Sequence, residues 1–138
     1  MNRSDFQRLA EIRLREARAL LEAGCHEGAY YLSGYAVECA LKACIARQTK
    51  EHDFPDKRSV DNSYTHNLEQ VLEVAELTLV LRTEMKRNSD FERYWNSVKD
   101  WKESSRYERS ISEVAARDRY TAIAHESSGV MQWLKKLW

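Results

Sequence analysis

Residues that form turns are scarce in this sequence. Its 138 residues include four glycines and one proline. A turn-rich all-β domain normally needs more of both, so the composition argues against that class and favours long helices. The length is sufficient for one domain with a sizeable hydrophobic core, and we predict a single domain over residues 1–138.

The sequence also lacks net charge, because 22 basic side chains are balanced by 22 acidic ones. A protein that binds nucleic acid through its overall charge usually carries a positive excess. Any contact with RNA or a nucleotide must therefore depend on a local patch of side chains.

Cysteines are few, and no long apolar run is free of charges. Cys25, Cys39 and Cys44 include no CxxC pair, and we expect buried, inert thiols in a reducing cytoplasm. The first residues lack the apolar core of a signal peptide. These features predict a cytoplasmic protein with no membrane contact.

The most apolar stretch runs from Gly28 to Ile45, and we expect the rest of the chain to be organised around it. A helix that is apolar nearly all round is normally a central, buried one. Glu38 and Lys42 interrupt it at a spacing of four, with the acid first, which allows an ion pair on one face. Since unpaired buried charges are costly, we predict a pair that fixes the helix register, with a contact to a nucleotide as the alternative.

Helix-start patterns and apolar spacing divide the remaining chain. We predict capping boxes at Ser4, Ser89 and Ser110, and a helix cap at Thr65. Gly24 should end the first helix, so that the first two helices form an antiparallel hairpin. Apolar residues at helical spacing mark the sides that face the core in three later segments: Leu68, Val71, Leu72 and Ala75; Phe91, Trp95 and Val98; and Val130, Trp133, Leu134 and Leu137.

Three segments show a weaker helical pattern. Residues 49–64 contain Pro55 among polar residues and predict a long, mobile loop. β-Branched residues between Leu77 and Leu81 blur the helical spacing, and residues 102–109 resemble a polar connector. The predicted fold is an all-α, up-and-down helical bundle of four main helices with one or two short helices.

Three parts of the chain resemble the HEPN family of small α-helical domains. The run Ala36-Val37-Glu38-Cys39-Ala40-Leu41-Lys42-Ala43 is similar to the family's second helix, and Thr65-His66-Asn67-Leu68 to the start of its third. The tail from Asp100 to Lys136 is similar to one branch of the family. The resemblance implies a helical bundle, a homodimer and a separate minimal nucleotidyltransferase protein as a partner. We predict no cofactor.

Many HEPN proteins are metal-independent ribonucleases marked by an arginine, four to six intervening residues and a histidine. Arg119 and His125 fit this spacing. The histidine would move protons as a 2′-hydroxyl attacks its phosphodiester, and the arginine would stabilise the developing negative charge. The resemblance places such a site at a dimer interface.

Two features of this motif favour a different interpretation. Family active sites usually have a polar residue directly after the arginine, whereas Tyr120 stands here. On a straight helix, Arg119 and His125 also point about 120° apart. The alternative interpretation is a solvated helix end.

A second group of residues is typical of contact with RNA or nucleotides. Arg106, Arg109 and Arg117 make the tail locally basic, and Tyr107 adds a stacking surface. Neutralisation by neighbouring acidic residues is the alternative. His66 is predicted to make a local hydrogen bond beside its helix cap. No histidine lies at metal-ligand spacing from a cysteine or another histidine, so we predict no metal.

Two functional hypotheses follow. The first is an accessory module that binds a nucleotide or RNA and works with a nucleotidyltransferase in a toxin–antitoxin or defence-type system. The second is a ribonuclease toxin that uses Arg119 and His125 across a dimer. The neutral net charge and Tyr120 favour the first.

Overall fold

Helices form nearly all of the structure. The computed structural model describes residues 1–49 and 57–138, and the prediction for Pro55 lies outside these ranges. The described residues contain eight α-helices, a 3₁₀-helix at Glu103–Tyr107 and no β-strand. The α-helices are α1 (Arg3–Glu22), α2 (His26–Gln48), α3 (Lys57–Ser63), α4 (Leu68–Val74), α5 (Thr78–Arg87), α6 (Ser89–Val98), α7 (Glu113–Ala124) and α8 (Val130–Lys135). The all-α prediction is confirmed.

The first two helices form the predicted hairpin. Gly24 follows α1 with φ of 78°, a left-handed conformation that glycine adopts without strain. The cap of α1 lies earlier than predicted, at Asn2, which accepts from the backbone N–H of Asp5 while the Asp5 carboxylate accepts from the N–H of Asn2. The capping box predicted at Ser4 is therefore wrong, although the reciprocal pattern of hydrogen bonds is the same.

The apolar α2 lies at the centre of the molecule. It contacts α1, α4, α7, α8 and the 3₁₀-helix. Its buried side includes Val37, Leu41 and several alanines, whose small size lets the neighbouring helices approach closely. Gly34 has a packing role, because a Cβ atom there would lie 2.1 Å from Cδ1 of Trp101.

The middle of the chain contains two helices that the sequence did not predict. Part of the expected loop forms α3, which packs on α4. The blurred segment after Leu77 forms α5, with Leu81 buried and Leu79 exposed. Tertiary packing of Leu81 outweighs the weak helix propensity of the β-branched residues. Between α4 and α5, Glu76 adopts φ of 57°, and Leu77 N–H donates to the carbonyl of Leu72, which closes a Schellman turn.

Three other helix caps also lie at residues different from those predicted. Asn67 caps α4, Asn88 caps α6 and Ser112 caps α7, each through a side-chain oxygen that accepts from a backbone N–H three residues on. The caps predicted at Thr65, Ser89 and Ser110 are wrong by one or two residues. Such shifts are expected because several Ser, Thr and Asn residues compete at each helix start.

The C-terminal segments pack as their spacing predicts. Phe91, Trp95 and Val98 of α6 are buried, and Phe91 lies against Trp133 of α8 with ring centroids 5.2 Å apart. Trp101 is buried against α2. These side chains belong to one hydrophobic cluster that includes residues of α1, α2, α4, α5, α6, α7 and α8.

The cysteines divide into two environments. Cys39 and Cys44 are buried in the cluster, as predicted, whereas Cys25 is exposed between α1 and α2. The prediction of a buried thiol is therefore wrong for Cys25, which caps the start of α2 with its backbone carbonyl.

Candidate functional site

The predicted charge pair of α2 forms an ion pair. Nζ of Lys42 lies 2.8 Å from Oε1 of Glu38. The Glu38 side chain is 1 % exposed and that of Lys42 is 17 % exposed, so the carboxylate lies inside the bundle and the ammonium group near its edge. The other carboxylate oxygen, Oε2, is buried and has no hydrogen-bond partner among the described residues.

His66 contacts the same carboxylate. Its Nδ1 lies 2.8 Å from Oε1 of Glu38, and its Nε2 lies 3.1 Å from Oε2 of Glu103 in the 3₁₀-helix. A carboxylate only accepts hydrogen bonds, so the ring donates to both when it carries two protons as an imidazolium. The prediction of a local hydrogen bond for His66 is wrong, since Glu38 lies 28 residues away.

The 3₁₀-helix extends the network to the surface. Nη1 of Arg106 donates to Oε1 of Glu103 at 2.8 Å, and the Arg106 guanidinium lies 4.8 Å from the centre of the Tyr107 ring. Tyr107 is 70 % exposed. We call Glu38, Lys42, His66, Glu103, Arg106 and Tyr107 the His66 cluster.

Aromatic packing holds the 3₁₀-helix beside α2. Tyr31 stacks on Tyr35 with ring centroids 6.0 Å apart and on Trp101 with ring centroids 5.9 Å apart. Trp101 lies two residues before the 3₁₀-helix and fits over Gly34. This packing fixes the position from which Glu103 reaches His66.

Arg119 lies on the inner side of α7. It is 8 % exposed, its Nη2 donates to the hydroxyl of Tyr30 at 2.6 Å, and its guanidinium carbon lies 4.3 Å from the centre of the Tyr30 ring. Burial lowers the pKa of Arg119. Its Nη1 is buried and has no hydrogen-bond partner among the described residues. Arg119 therefore joins α7 to α2.

His125 lies at the C-terminal end of α7 and is partly exposed. Its Nδ1 accepts from the backbone N–H groups of Ser127 at 3.3 Å and Ser128 at 3.1 Å. The neutral ring therefore carries its proton on Nε2. Its ring centroid lies 5.5 Å from that of Tyr94 in α6.

Arg119 and His125 thus contact different helices within one chain. Arg119 faces Tyr30 of α2, and His125 faces Tyr94 of α6. The structure describes a single chain, so a groove shared by Arg119 and His125 of two chains stays a prediction.

Arg106 and Arg117 each form an ion pair with an acidic neighbour. Nε of Arg117 lies 2.8 Å from Oε1 of Glu113, and the hydrogen bond with Arg117 lowers the pKa of Glu113. Arg106 pairs with Glu103, while Arg109 is exposed after the 3₁₀-helix. Of the basic tail, Arg106 and Tyr107 are the residues that the structure connects to the Glu38–Lys42 pair.

A groove lies between α6 and α7, and one of its lining residues, Tyr94, contacts His125. Its volume is about 420 Å³, and it is lined by Arg93, Tyr94, Ser97, Asp118, Thr121 and Ala122. Within the described ranges, no group of three or more His, Cys, Asp or Glu side chains is arranged to hold a metal ion. None of the helices in those ranges combines the length and apolar character needed to cross a bilayer.

The helical bundle and its charged cluster define an all-α protein with a polar site beside its central helix. The profile of the HEPN domain matches residues 4–137, nearly the whole chain, and the chain belongs to the HEPN family. Membership supports a role connected with nucleotides or RNA, and domains of this family commonly dimerise. Searches of curated proteins and of solved structures gave no significant match.

Sequence reasoning missed two members of the His66 cluster as site residues. His66 was assigned a local role, and Glu103 was part of a polar connector. One signal was available in the sequence: Glu38 lies in an apolar helix, and a buried carboxylate needs cationic or hydrogen-bonding partners. The identity of those partners depends on the packing of α2 against the 3₁₀-helix.

Proposed function

We propose that this chain is a nucleotide- or RNA-binding module that works with a separate minimal nucleotidyltransferase protein in a toxin–antitoxin or defence-type system. The observation that carries the binding role is the continuous chain of polar contacts from buried Glu38 through His66 and Glu103 to the exposed Arg106–Tyr107 pair. The nucleotidyltransferase partner and the biological system are inferred from membership of the HEPN family.

The exposed end of this path has the chemistry that nucleotides require. A tyrosine ring and an arginine plane both provide stacking surfaces for bases, and arginine binds phosphate oxygens through paired N–H donors. Arg106 and Tyr107 offer both features within one turn of the 3₁₀-helix. Because the chain has zero net charge, binding should depend on this patch rather than on the whole surface.

The test is equilibrium binding of a labelled short single-stranded RNA and of AMP to the wild type, Arg106→Ala and Tyr107→Ala. We expect each variant to bind about tenfold more weakly, since loss of one base-stacking contact costs about 1–3 kcal/mol. Arg87→Ala is the matched control, because Arg87 is also exposed and paired with an acid three residues earlier. Equal binding by all four proteins, with unchanged circular dichroism, would reject this site.

The partnership has its own test. The chain and a minimal nucleotidyltransferase would be mixed and separated by size-exclusion chromatography with light scattering. We expect a complex that contains both proteins, and a homodimer when the chain is alone. Separate elution at concentrations far above those used for binding would remove the accessory role from the proposal.

The geometry of His125 favours a second candidate, a metal-independent ribonuclease that acts as a homodimer. Nδ1 is held by two backbone N–H groups, so Nε2 is left to transfer protons. Arg119 has a buried Nη1 without a partner among the described residues, which a phosphate oxygen from a shared groove would satisfy.

RNA cleavage in EDTA tests this candidate. If it is correct, the wild type and Arg87→Ala cleave RNA, and both His125→Ala and Arg119→Ala lose cleavage while remaining folded. Arg119 also joins α7 to α2, so Arg119→Ala can affect the fold as well as the site. Arg119→Lys is therefore a second variant, which keeps a positive charge at the contact between the helices. Cleavage that is equal in the wild type and His125→Ala would exclude the Arg119–His125 site.

A further inference from the structure

We propose that the Glu103 carboxylate occupies the place of a ligand phosphate, and that the 5′-phosphate of a mononucleotide displaces it to bind His66 and Arg106. This inference rests on the proposed function as a nucleotide-binding module. It adds the binding position of the phosphate and an internal competitor for that position.

The two oxygens of Glu103 each contact a nitrogen of a different basic side chain. Nε2 of His66 lies 3.1 Å from Oε2, and Nη1 of Arg106 donates to Oε1 at 2.8 Å. A phosphate group can accept from the same two donors, because its oxygens form the same charge-assisted hydrogen bonds as a carboxylate. Glu103 therefore uses the donors that a phosphate would need.

The buried side of the cluster keeps His66 in position for such a ligand. Oε1 of Glu38 lies 2.8 Å from Nδ1 of His66, and the Glu38 side chain is 1 % exposed. A buried carboxylate at Nδ1 favours the ring that carries a proton on that nitrogen and fixes its orientation. Glu38 is thus a positioning residue, which directs Nε2 of His66 toward Glu103.

The outer side of the cluster is open to solvent. The side chains of His66 and Arg106 are each 44 % exposed, and that of Glu103 is 31 % exposed. Glu103 belongs to a five-residue 3₁₀-helix, so its side chain can rotate away without moving a long element. A ligand can therefore reach both donors from the surface.

The charges of the cluster match a phosphate dianion. When the His66 ring is doubly protonated, Lys42, His66 and Arg106 are three cations that face two carboxylates with Glu103 in place. When Glu103 leaves, Glu38 alone opposes them, and two positive charges are uncompensated. Tyr107, beside Arg106, then provides a surface for the base of the same nucleotide.

The experiment compares AMP with adenosine, which lacks the phosphate, by isothermal titration calorimetry. In Glu103→Gln the competing negative charge is absent while the side chain keeps its shape. We expect AMP to bind this variant about tenfold more tightly than the wild type, because a like charge beside the phosphate is removed. Adenosine should bind both proteins equally.

Glu84→Gln is the matched control, since Glu84 pairs with Arg87 at 2.9 Å with the same spacing of three residues. It should bind AMP as the wild type does. In the double variant Glu103→Gln/Arg106→Ala the gain for AMP should disappear. His66→Gln in the Glu103→Gln background should also remove it, and circular dichroism would verify that each variant folds.

Several results would overturn the inference. These are unchanged or weaker AMP binding by folded Glu103→Gln, an equal gain for adenosine, or a gain that survives the loss of Arg106. If wild-type binding of AMP depends on Arg106 and Tyr107 but Glu103→Gln gives no gain, the inference fails and the proposed function stands. If Arg106→Ala and Tyr107→Ala bind AMP as the wild type does, the proposed function fails as well.

Discussion

Single residues in this protein are fixed by what lies opposite them in a distant segment of the chain. Gly34 is the clearest case, because the ring of Trp101 occupies the space that a side chain would need. Glu38 shows the same dependence for charge, since its partner His66 comes from the start of α4. The sequence identifies Glu38 as unusual in an apolar helix, but it does not name its distant partner.

Two glycines of α2 give the first prediction. Gly34→Ala would place Cβ 2.1 Å from Cδ1 of Trp101, and we expect it to destabilise the protein by about 2 kcal/mol, as overpacked cores do. In Gly28→Ala the new Cβ meets the flexible end of Leu20 at 3.1 Å. That variant should be neutral or gain up to about 1 kcal/mol from helix propensity. Urea unfolding measures the stability of both variants. Equal stability of the two variants would contradict the close packing of Trp101 on Gly34.

The buried thiols give a prediction about pH. Burial raises the pKa of Cys39 to about 11 and that of Cys44 to about 11, from an ordinary value of 9.0. At a pH between the ordinary and the raised pKa, the two thiols are deprotonated in the unfolded chain and remain protonated in the folded chain. Stability should therefore be fully present below about pH 9 and decrease as the pH rises above it.

Urea unfolding at about pH 7 and about pH 10 measures this decrease. Compared with the wild type, Cys39→Ala and Cys44→Ala should each lose less stability between the two pH values. Cys25→Ala is the control, because Cys25 is exposed and its replacement should leave the pH dependence unchanged. A wild-type protein whose stability does not change over this range would contradict the prediction.

At the scale of helices, the sequence predicts which segments are helical better than it predicts where they begin. The apolar faces of α4, α6 and α8 lie where their spacing placed them, because that spacing is a property of each helix alone. The caps shifted because neighbouring polar residues have similar capping ability. α5 was missed because its stability comes from packing of residues such as Leu81, which local propensity does not report.

The shifted cap of α6 gives the third prediction. Asn88 accepts from the N–H of Phe91 at 3.1 Å and also donates to Oγ of Ser128 at 3.2 Å. We expect Asn88→Ala to cost about 0.5–2 kcal/mol, the usual range for loss of an N-cap. Ser89→Ala, at the cap that the sequence predicted, should change stability by less than about 0.5 kcal/mol. Thermal and urea unfolding measure the stability of both variants. A larger loss of stability for Ser89→Ala would favour the cap that the sequence predicted.

At the scale of the whole molecule, one hydrophobic cluster connects nearly all the helices. Trp133 of α8 packs against Phe91 of α6 within it and is 6 % exposed. A shared core of this kind predicts a single cooperative unfolding transition. The His66 cluster lies at the edge of that core, where α2, the start of α4 and the 3₁₀-helix meet.

Trp133→Ala tests this organisation. We expect a loss of about 3–5 kcal/mol, as for large aromatic truncations in cores, with one transition retained. Trp138→Ala should cost less, because Trp138 is only partly buried. Circular dichroism and tryptophan fluorescence should give the same midpoint for each variant. Different midpoints for the two probes would mean that α8 unfolds separately from the rest of the bundle.

The sequence by itself determined the features that depend on neighbours within one helix. These are the all-α class, the apolar faces and the Glu38–Lys42 ion pair, whose members are four residues apart and share a face of α2. Tertiary structure alone decided which distant residues meet. His66 reaches Glu38 across 28 residues, and Arg119 reaches Tyr30 across 89. The physical reason is that helical periodicity fixes which side of a helix a residue occupies, whereas packing of the core fixes which other helix that side faces.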